Sequence, residues 1–275
     1  MTAPTTTRDD QLRLSPTLPD RLAFATGMLL DASDFESEQL YHRGRLARAL
    51  AYLHGDGTVV GLRVDHRATP ESGERLIVKP GLALDRVGRL IEVPGDACLR
   101  LDRWYQAQSA SALDAAMHDA AGGVVVDVFV RFVSCPRGKT PAFAAGPFDA
   151  TDAVQPSRLR DGYQISLYPR PEDPQPLPAQ DFDAATAHDA DTLRQAVFEK
   201  WNEDAASWTD DGLAARREHL PNQDTTSVFL ARLVIPATRG PSGARPIRSA
   251  ADVTIDNASR RFVWPVAAVA RWAGL

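Results

Sequence analysis

LHGDGTVVGLRVDHRATPESGERLIVKPGLALDRVGRLIEVP, Leu53 to Pro94, is the stretch that decides the fold. Val59, Val60, Leu62 and Val64 form one β-branched run, Leu76–Val78 a second, Gly81–Leu84 a third and Leu90–Val93 a fourth. Gly, Pro, Asp and Ser close each run off, as they do at strand ends. Asp85–Gly88 reads as a tight turn with glycine in its last place, where a hairpin with a bulge requires positive φ. The stretch predicts a compact set of antiparallel strands and contains no grouping of acid, base and nucleophile.

Upstream, Ser33-Asp34-Phe35-Glu36 reads as a capping box opening a helix over Asp34–Leu53. Its expected apolar stripe is Phe35, Leu46, Ala49, Leu50 and Leu53, with Tyr41 at one edge and His42 packed on it. Arg43, Arg45 and Arg48 sit towards the C-terminal half, where cations oppose the helix dipole. Residues 1–20 are polar and read as an N-terminal arm.

Downstream, Leu99–Tyr105 reads as a strand leading out past Trp104, and Ser111–Ala121 as a short helix ended by Gly122-Gly123. VVVDVFVRFV, Val124–Val133, is apolar on both alternating faces and predicts a central strand covered on each side. Cys135–Asp152 reads as a loop, Gly162–Tyr168 as a strand, and the proline-dense residues 169–180 as a stiff linker. Residues 181–222 read as a helical insertion: Leu193, Val197 and Trp201 share one face of a helix over Asp191–Asn202, and Asp210–Leu220 offers a second. Residues 223–275 return to the core with strands at Ser227–Pro236 and Asp252–Ile255, then a segment from Arg260 that starts extended and ends helical. The expected fold is α+β: a β-rich core domain over 21–168, sandwich or barrel-like, with an N-terminal helix and the insertion.

The 275 residues carry a net charge of −5 and a pI near 5.7, which opposes generic nucleic-acid binding. Cys98 and Cys135 read as buried thiols of a reducing compartment. The N-terminus has no apolar leader and no run approaches a membrane span, so a cytoplasmic chain without membrane or nucleic-acid partners is expected, unless a larger assembly carries it out.

The six histidines lack zinc-binding spacing; His54/Asp56 and Asp65/His66 come nearest. Glycine-rich phosphate loops and a nucleophile elbow are missing, and Cys135 near His118 has nothing to orient the imidazole. No catalytic, cofactor or metal residue is therefore assigned. Two partner-contact candidates remain. Arg158 and Arg160 flank Leu159 ahead of a strand, suited to a partner's carboxylates or phosphates, with internal salt bridges the plainer reading. Trp104 and Tyr105, with Trp208, are candidate aromatic platforms for a sugar, against ordinary internal packing. A hydrolase would need a carboxylate pair drawn from Asp65, Asp85, Glu92 and Asp127.

Four pieces together carry a resemblance: LLDASDFESEQLYHRGRLARALAYLHGDGTVVGLRV, then IVKPGLALDRVGRLIEVP, then VFVRF with PSRLRDGYQISLYP, and FLARLVIP. In that order they resemble a bacterial family of undefined role in contractile phage-tail-like loci, the extracellular contractile injection systems. Val78–Pro94 (V-x-P-G-x-A-L-D-x-x-G-R-x-I-x-V-P) also looks like a β-module of phage baseplate and tail-fibre proteins. The resemblance covers most of 22–168 and implies a non-enzymatic assembly component. Its implied partners are baseplate, fibre or sheath–tube proteins, or further copies of itself. Cys135–Asp152, Ala237–Ala251 and the N-terminal arm are the expected contact segments.

Overall fold

The computed structural model describes residues 20–69, 73–141, 154–179, 190–209, 212–241, 244–249 and 251–272. Residues 1–19 of the expected N-terminal arm and 142–152 of the expected Cys135–Asp152 contact loop lie outside them.

Helix α1 spans Ala32–His54. Its capping box sits two residues earlier than Ser33 predicts. Asp31 accepts from the amides of Ser33 and Asp34 while the Asp34 carboxylate accepts from the Asp31 amide. An Asp-x-x-Asp box does the work of the usual Ser/Thr-x-x-Glu.

Six short strands follow: β1 Gly57–Gly61, β2 Val64–Thr69, β3 Gly73–Val78, β4 Gly81–Leu84, β5 Leu90–Val93 and β6 Ala97–Arg100. They form two antiparallel three-stranded sheets, β1-β4-β5 and β2-β3-β6. The run Val59–Val64 is therefore not one strand. Gly61 and Leu62 adopt φ of 67° and 55°, and the chain steps there from one sheet to the other. The opposite strand turns the same corner at Pro80–Gly81, bridged by Leu62 N–H to the Pro80 carbonyl (3.2 Å) and Lys79 N–H to the Arg63 carbonyl (2.8 Å). A Cβ on Gly61 or Gly81 would overlap the facing backbone, so the corner admits only glycine.

Helices α2 Leu101–Ala107 and α3 Ala110–Ala115 come next, so Trp104 and Tyr105 ride on a helix rather than the expected strand. Then come β7 Met117–His118, β8 Gly123–Arg137, β9 Thr140–Pro141, β10 Val154–Gln155 and β11 Arg158–Pro169. Helix α4 Ala190–Ala206 follows, then β12 Trp208–Thr209, β13 Gly212–Leu213, β14 Val228–Thr238, β15 Ile247–Arg248, β16 Thr254–Asp256 and α5 Val266–Trp272. The helix expected over Asp210–Leu220 is replaced by the β12–β13 hairpin and turns.

Strand β8 is central, as its two apolar faces require: the sheet order is β11-β8-β14-β15, with β7 on β8 and β16 on β14. Val124, Val126, Val128 and Val130 on one face meet Leu62, Val64, Leu76, Val78, Ile91 and Val93 of the two small sheets in a continuous core. The molecule is thus a β-rich α+β sandwich.

The other face of β8 carries Asp127 and Phe129, beside Arg232 and Phe229 of β14. Residues 170–178, read as a linker, lie across it. Arg170 is fully buried with Nε 3.4 Å from Asp127, and Arg232 binds Asp127 at 2.7 and 2.8 Å while donating to the carbonyls of Gln175 and Pro176. Burial pushes the Asp127 carboxyl upward against the opposing pull of Arg232 and then Arg170. Both expected thiols are exposed: Cys98 and Cys135 face solvent.

Candidate interaction surfaces

The core side of α1 is made of small residues. Leu40, Gly44, Ala47 and Ala51 recur at helical spacing; Ala47 and Ala51 are buried, and Ala47 packs with Leu40 on Val87 of the β4–β5 turn. Gly88, with φ of 87°, ends that turn so close to the helix that a Cβ there would overlap the Ala47 carbonyl. Buried Asp85 organises the turn by accepting from the amides of Val87 and Arg89 (both 2.9 Å) and the Arg89 side chain (2.6 Å). Small residues let two backbones approach where large ones could not, and this reverses the helix. The stripe expected in the core faces out, with Phe35, Leu46 and Leu53 exposed, and His42 is exposed beside Glu38.

Helix α4 crosses the C-terminal turn of α1 and is held by few contacts. Trp201 stacks on Tyr52 at 5.7 Å between ring centroids, Arg48 lies over the Trp201 ring, and the Tyr52 hydroxyl donates to Asp204 at 3.0 Å. Among its described side chains Val197 is 75% and Phe198 73% exposed, and Trp201 keeps 58% of its surface exposed despite the stacking. The Leu193 side chain lies outside the described residues. A groove of about 370 Å³ runs from Leu53 to Trp264 and Val269, with Lys200 of α4, Arg216 and Arg261 also along it. In that groove Arg216 grips Asp56 bidentately at 2.5 and 2.6 Å. Burial opposes the charge on Asp56, yet Arg216 holds its carboxyl below the usual range.

The second surface is an arm. Strand β14 pairs with β8 only as far as Val130, whereas β11 pairs with β8 to the end, Arg158 opposite Arg137. Beyond Val130 the two strands continue as a ribbon, extended by β9 and β10, and its residues from Ser134 to Pro141 and Pro156 to Asp161 are exposed. Arg158 and Arg160 sit here. Opposed residues share a face of an antiparallel pair, so Arg158 faces with Arg137 and Arg160 with Cys135. The internal salt bridges expected for the pair do not form: among the described residues none of these three arginines makes an ion pair.

The aromatic platform is not assembled. Tyr105 is 5% exposed and its hydroxyl donates to the Pro246 carbonyl at 2.9 Å. Trp104 packs half-buried on the core and Trp208 on the α1 contact. The hydrolase candidates are engaged separately: Asp65 with Arg63, Asp85 in its turn, Asp127 with two arginines, and Glu92 towards solvent. His118 bonds the Arg170 carbonyl and His66 pairs with Glu74, which Arg248 grips in turn. Among the described residues no group of three or more His, Cys, Asp and Glu side chains is placed to hold a metal ion, and no helix is long and apolar enough to cross a membrane.

Sequence could have flagged the outward surface. Gly44, Ala47 and Ala51 form a small-residue stripe opposite Phe35 and Leu46, and such a stripe marks close packing as well as a large one does. Nothing local could show where β14 stops pairing.

No protein-family model matches the chain, and no curated protein matches it. Among solved structures it is similar, at 14% identity and a TM-score of 0.34, to a chain of the type VI secretion system TssK–TssF–TssG baseplate subcomplex; the match covers 85% of this chain and 60% of that one. It is similar, at 12% identity and a TM-score of 0.32, to a chain of the baseplate complex from the type VI secretion system, covering 85% and 41%. The match thus spans less than two thirds of either neighbour, and TM-scores of this size carry no argument about fold or function.

Proposed function

We propose that the chain is a non-enzymatic structural component of a contractile injection or phage-tail-like particle, at its baseplate or fibre attachment, acting through contacts with other particle proteins. The observation that carries this is α4. A helix of 17 residues is marginal in water on its own and normally gains its stability by burying an apolar side. Here Val197, Phe198 and Trp201 stay exposed, and exposed apolar residues clustered on one helix mark a protein–protein contact. The sequence resemblance of residues 22–168 supplies the kind of particle. The buried charges support a structural role, since Asp127 and Asp56 each hold two segments of chain together through arginine and Asp85 fixes the β4–β5 turn with Arg89.

The test is gradient sedimentation of particles from cells carrying the intact locus. The chain is expected in the particle fraction, and Phe198→Ser with Trp201→Ser is expected to shift it to the free fraction with its far-UV circular dichroism unchanged. Recovery of the unaltered chain only as a free monomer, with particles unchanged on its deletion, sinks the proposal.

A further inference from the structure

We propose that the β8–β11 arm is a docking finger for an acidic protein surface, held by Arg137, Arg158 and Arg160. The inference rests on the reading of the chain as an assembly component, and it names the chemistry of one partner.

Three observations carry it. First, the register sets Arg137 directly across from Arg158, with Arg160 one step along on the same face. Opposed residues in such a ribbon lie about 5 Å apart and next-but-one residues about 7 Å, so three guanidinium groups share a patch roughly one side chain wide. Like charges directly opposite each other destabilise a strand pair. Among the described residues no carboxylate pairs with them: Asp161 is opposite Ser134, on the other face of the ribbon.

Second, the contrast along the same face is sharp. Two same-face positions nearer the core than Arg160, Arg131 is tied to Asp224 and Gln164, and further in Asp127 is tied to Arg170 and Arg232. Arginine on this face is therefore neutralised wherever the body of the protein can reach it, and left open only where the ribbon has projected beyond it. Planar guanidinium groups are suited to bidentate carboxylate contacts.

Third, the charge balance selects a protein over a nucleic acid. The chain is −5 overall, so removing three positive charges leaves −8 for everything else. A long polyanion reaching this patch would also meet that negative body, whereas an acidic patch matched to the finger meets only the arginines.

The experiment uses the full chain and a fluorescent 20-residue polyglutamate peptide, with a duplex DNA of equal charge alongside, both at low salt. Polyglutamate is expected to bind, to weaken with added salt, and to weaken about tenfold or more in the triple variant Arg137→Glu, Arg158→Glu, Arg160→Glu. Phe198→Ser with Trp201→Ser is expected to leave this binding unchanged. The single variant Arg137→Glu guards against misfolding: it replaces a repulsive cross-strand pair with an attractive one, so its thermal midpoint is expected to hold or rise while binding falls. Equal binding by the unaltered chain and the triple variant overturns the proposal, as does tighter binding to the DNA than to polyglutamate. Loss of the finger with sedimentation intact removes this inference alone; loss of co-sedimentation with polyglutamate binding intact removes the particle assignment alone.

Discussion

The two halves of β8 belong to one continuous strand and have opposite fates. Gly123–Val130 has a strand on each side, a core on one face and the 170–178 segment on the other, and every residue in it is buried. Arg131–Arg137 keeps only β11 as a neighbour and passes within a few residues from partly buried to exposed. Alternation of apolar residues sets which way side chains point. The number of neighbouring strands sets whether what they point at is protein or water. Charge follows the same division, with Asp127 fixed between two arginines in the inner half and Arg137 left facing Arg158 in the outer one.

The sharpest way to break this contrast is to remove the charge at each end. Asp127→Ala leaves Arg232 without its carboxylate and buried Arg170 with Glu172 alone, and is expected to cost about 3–5 kcal/mol. Arg137→Ala, on the exposed ribbon, is expected to stay within about 0.5 kcal/mol. Urea unfolding of the two variants checks both, and equal losses would mean that the arm is packed in solution.

Next in size is Gly88→Ala. The added methyl must push the β4–β5 turn off the Ala47 carbonyl and must sit at φ of 87°, so a loss of about 1–3 kcal/mol is expected. Hydrogen exchange should quicken in α1 around Ala47 and Ala51 while the β8 amides keep their protection. Uniform loosening of both would show that the helix and the sandwich open as one unit.

The smallest effect is on pH. Burial, reinforced by nearby arginines, holds the His219 imidazole below its ordinary 6.5, and burial followed by Arg248 does the same for His66. Between the folded and the ordinary value the unfolded chain binds more protons, so stability falls as pH drops through about 6.5 and levels off once the folded imidazoles also titrate. His219→Gln keeps a donor for the Ser227 carbonyl and is expected to flatten the fall in urea midpoint between pH 7.5 and 5.5. An unchanged slope would place the sensitivity elsewhere.

Much of the fold was legible in the residues. β8 as a central strand, the Asp85–Gly88 turn, β14 and the late helix α5 all follow from local pattern. The misreadings share one cause. Val59–Val64 reads as continuous because β-branched residues mark strand wherever they occur, while the sheet change at Gly61–Leu62 depends on the partner strand bending with it. Residues 169–180 read as a linker because proline at that density keeps a segment out of a sheet interior, yet residues 170–178 lie over the sheet with Arg170 and Arg232 as anchors. The outward side of α1 was missed because large apolar residues were weighed above small ones. Of the contact candidates, Arg158 and Arg160 fall on an accessible surface and Tyr105 does not; their own neighbours in sequence do not distinguish them.

By itself the sequence determined many of the elements: the central strand β8, the late strand β14, the turn that glycine closes at Gly88, the presence of α1 and α4, and a core built from valine and leucine. Those depend on backbone sterics and on side-chain period, both local. Only the tertiary structure decided which side of α1 meets the body, how far β14 accompanies β8, and which arginines find a carboxylate. Each of these depends on the distance between segments far apart in the chain, and burial and charge pairing are set by that distance.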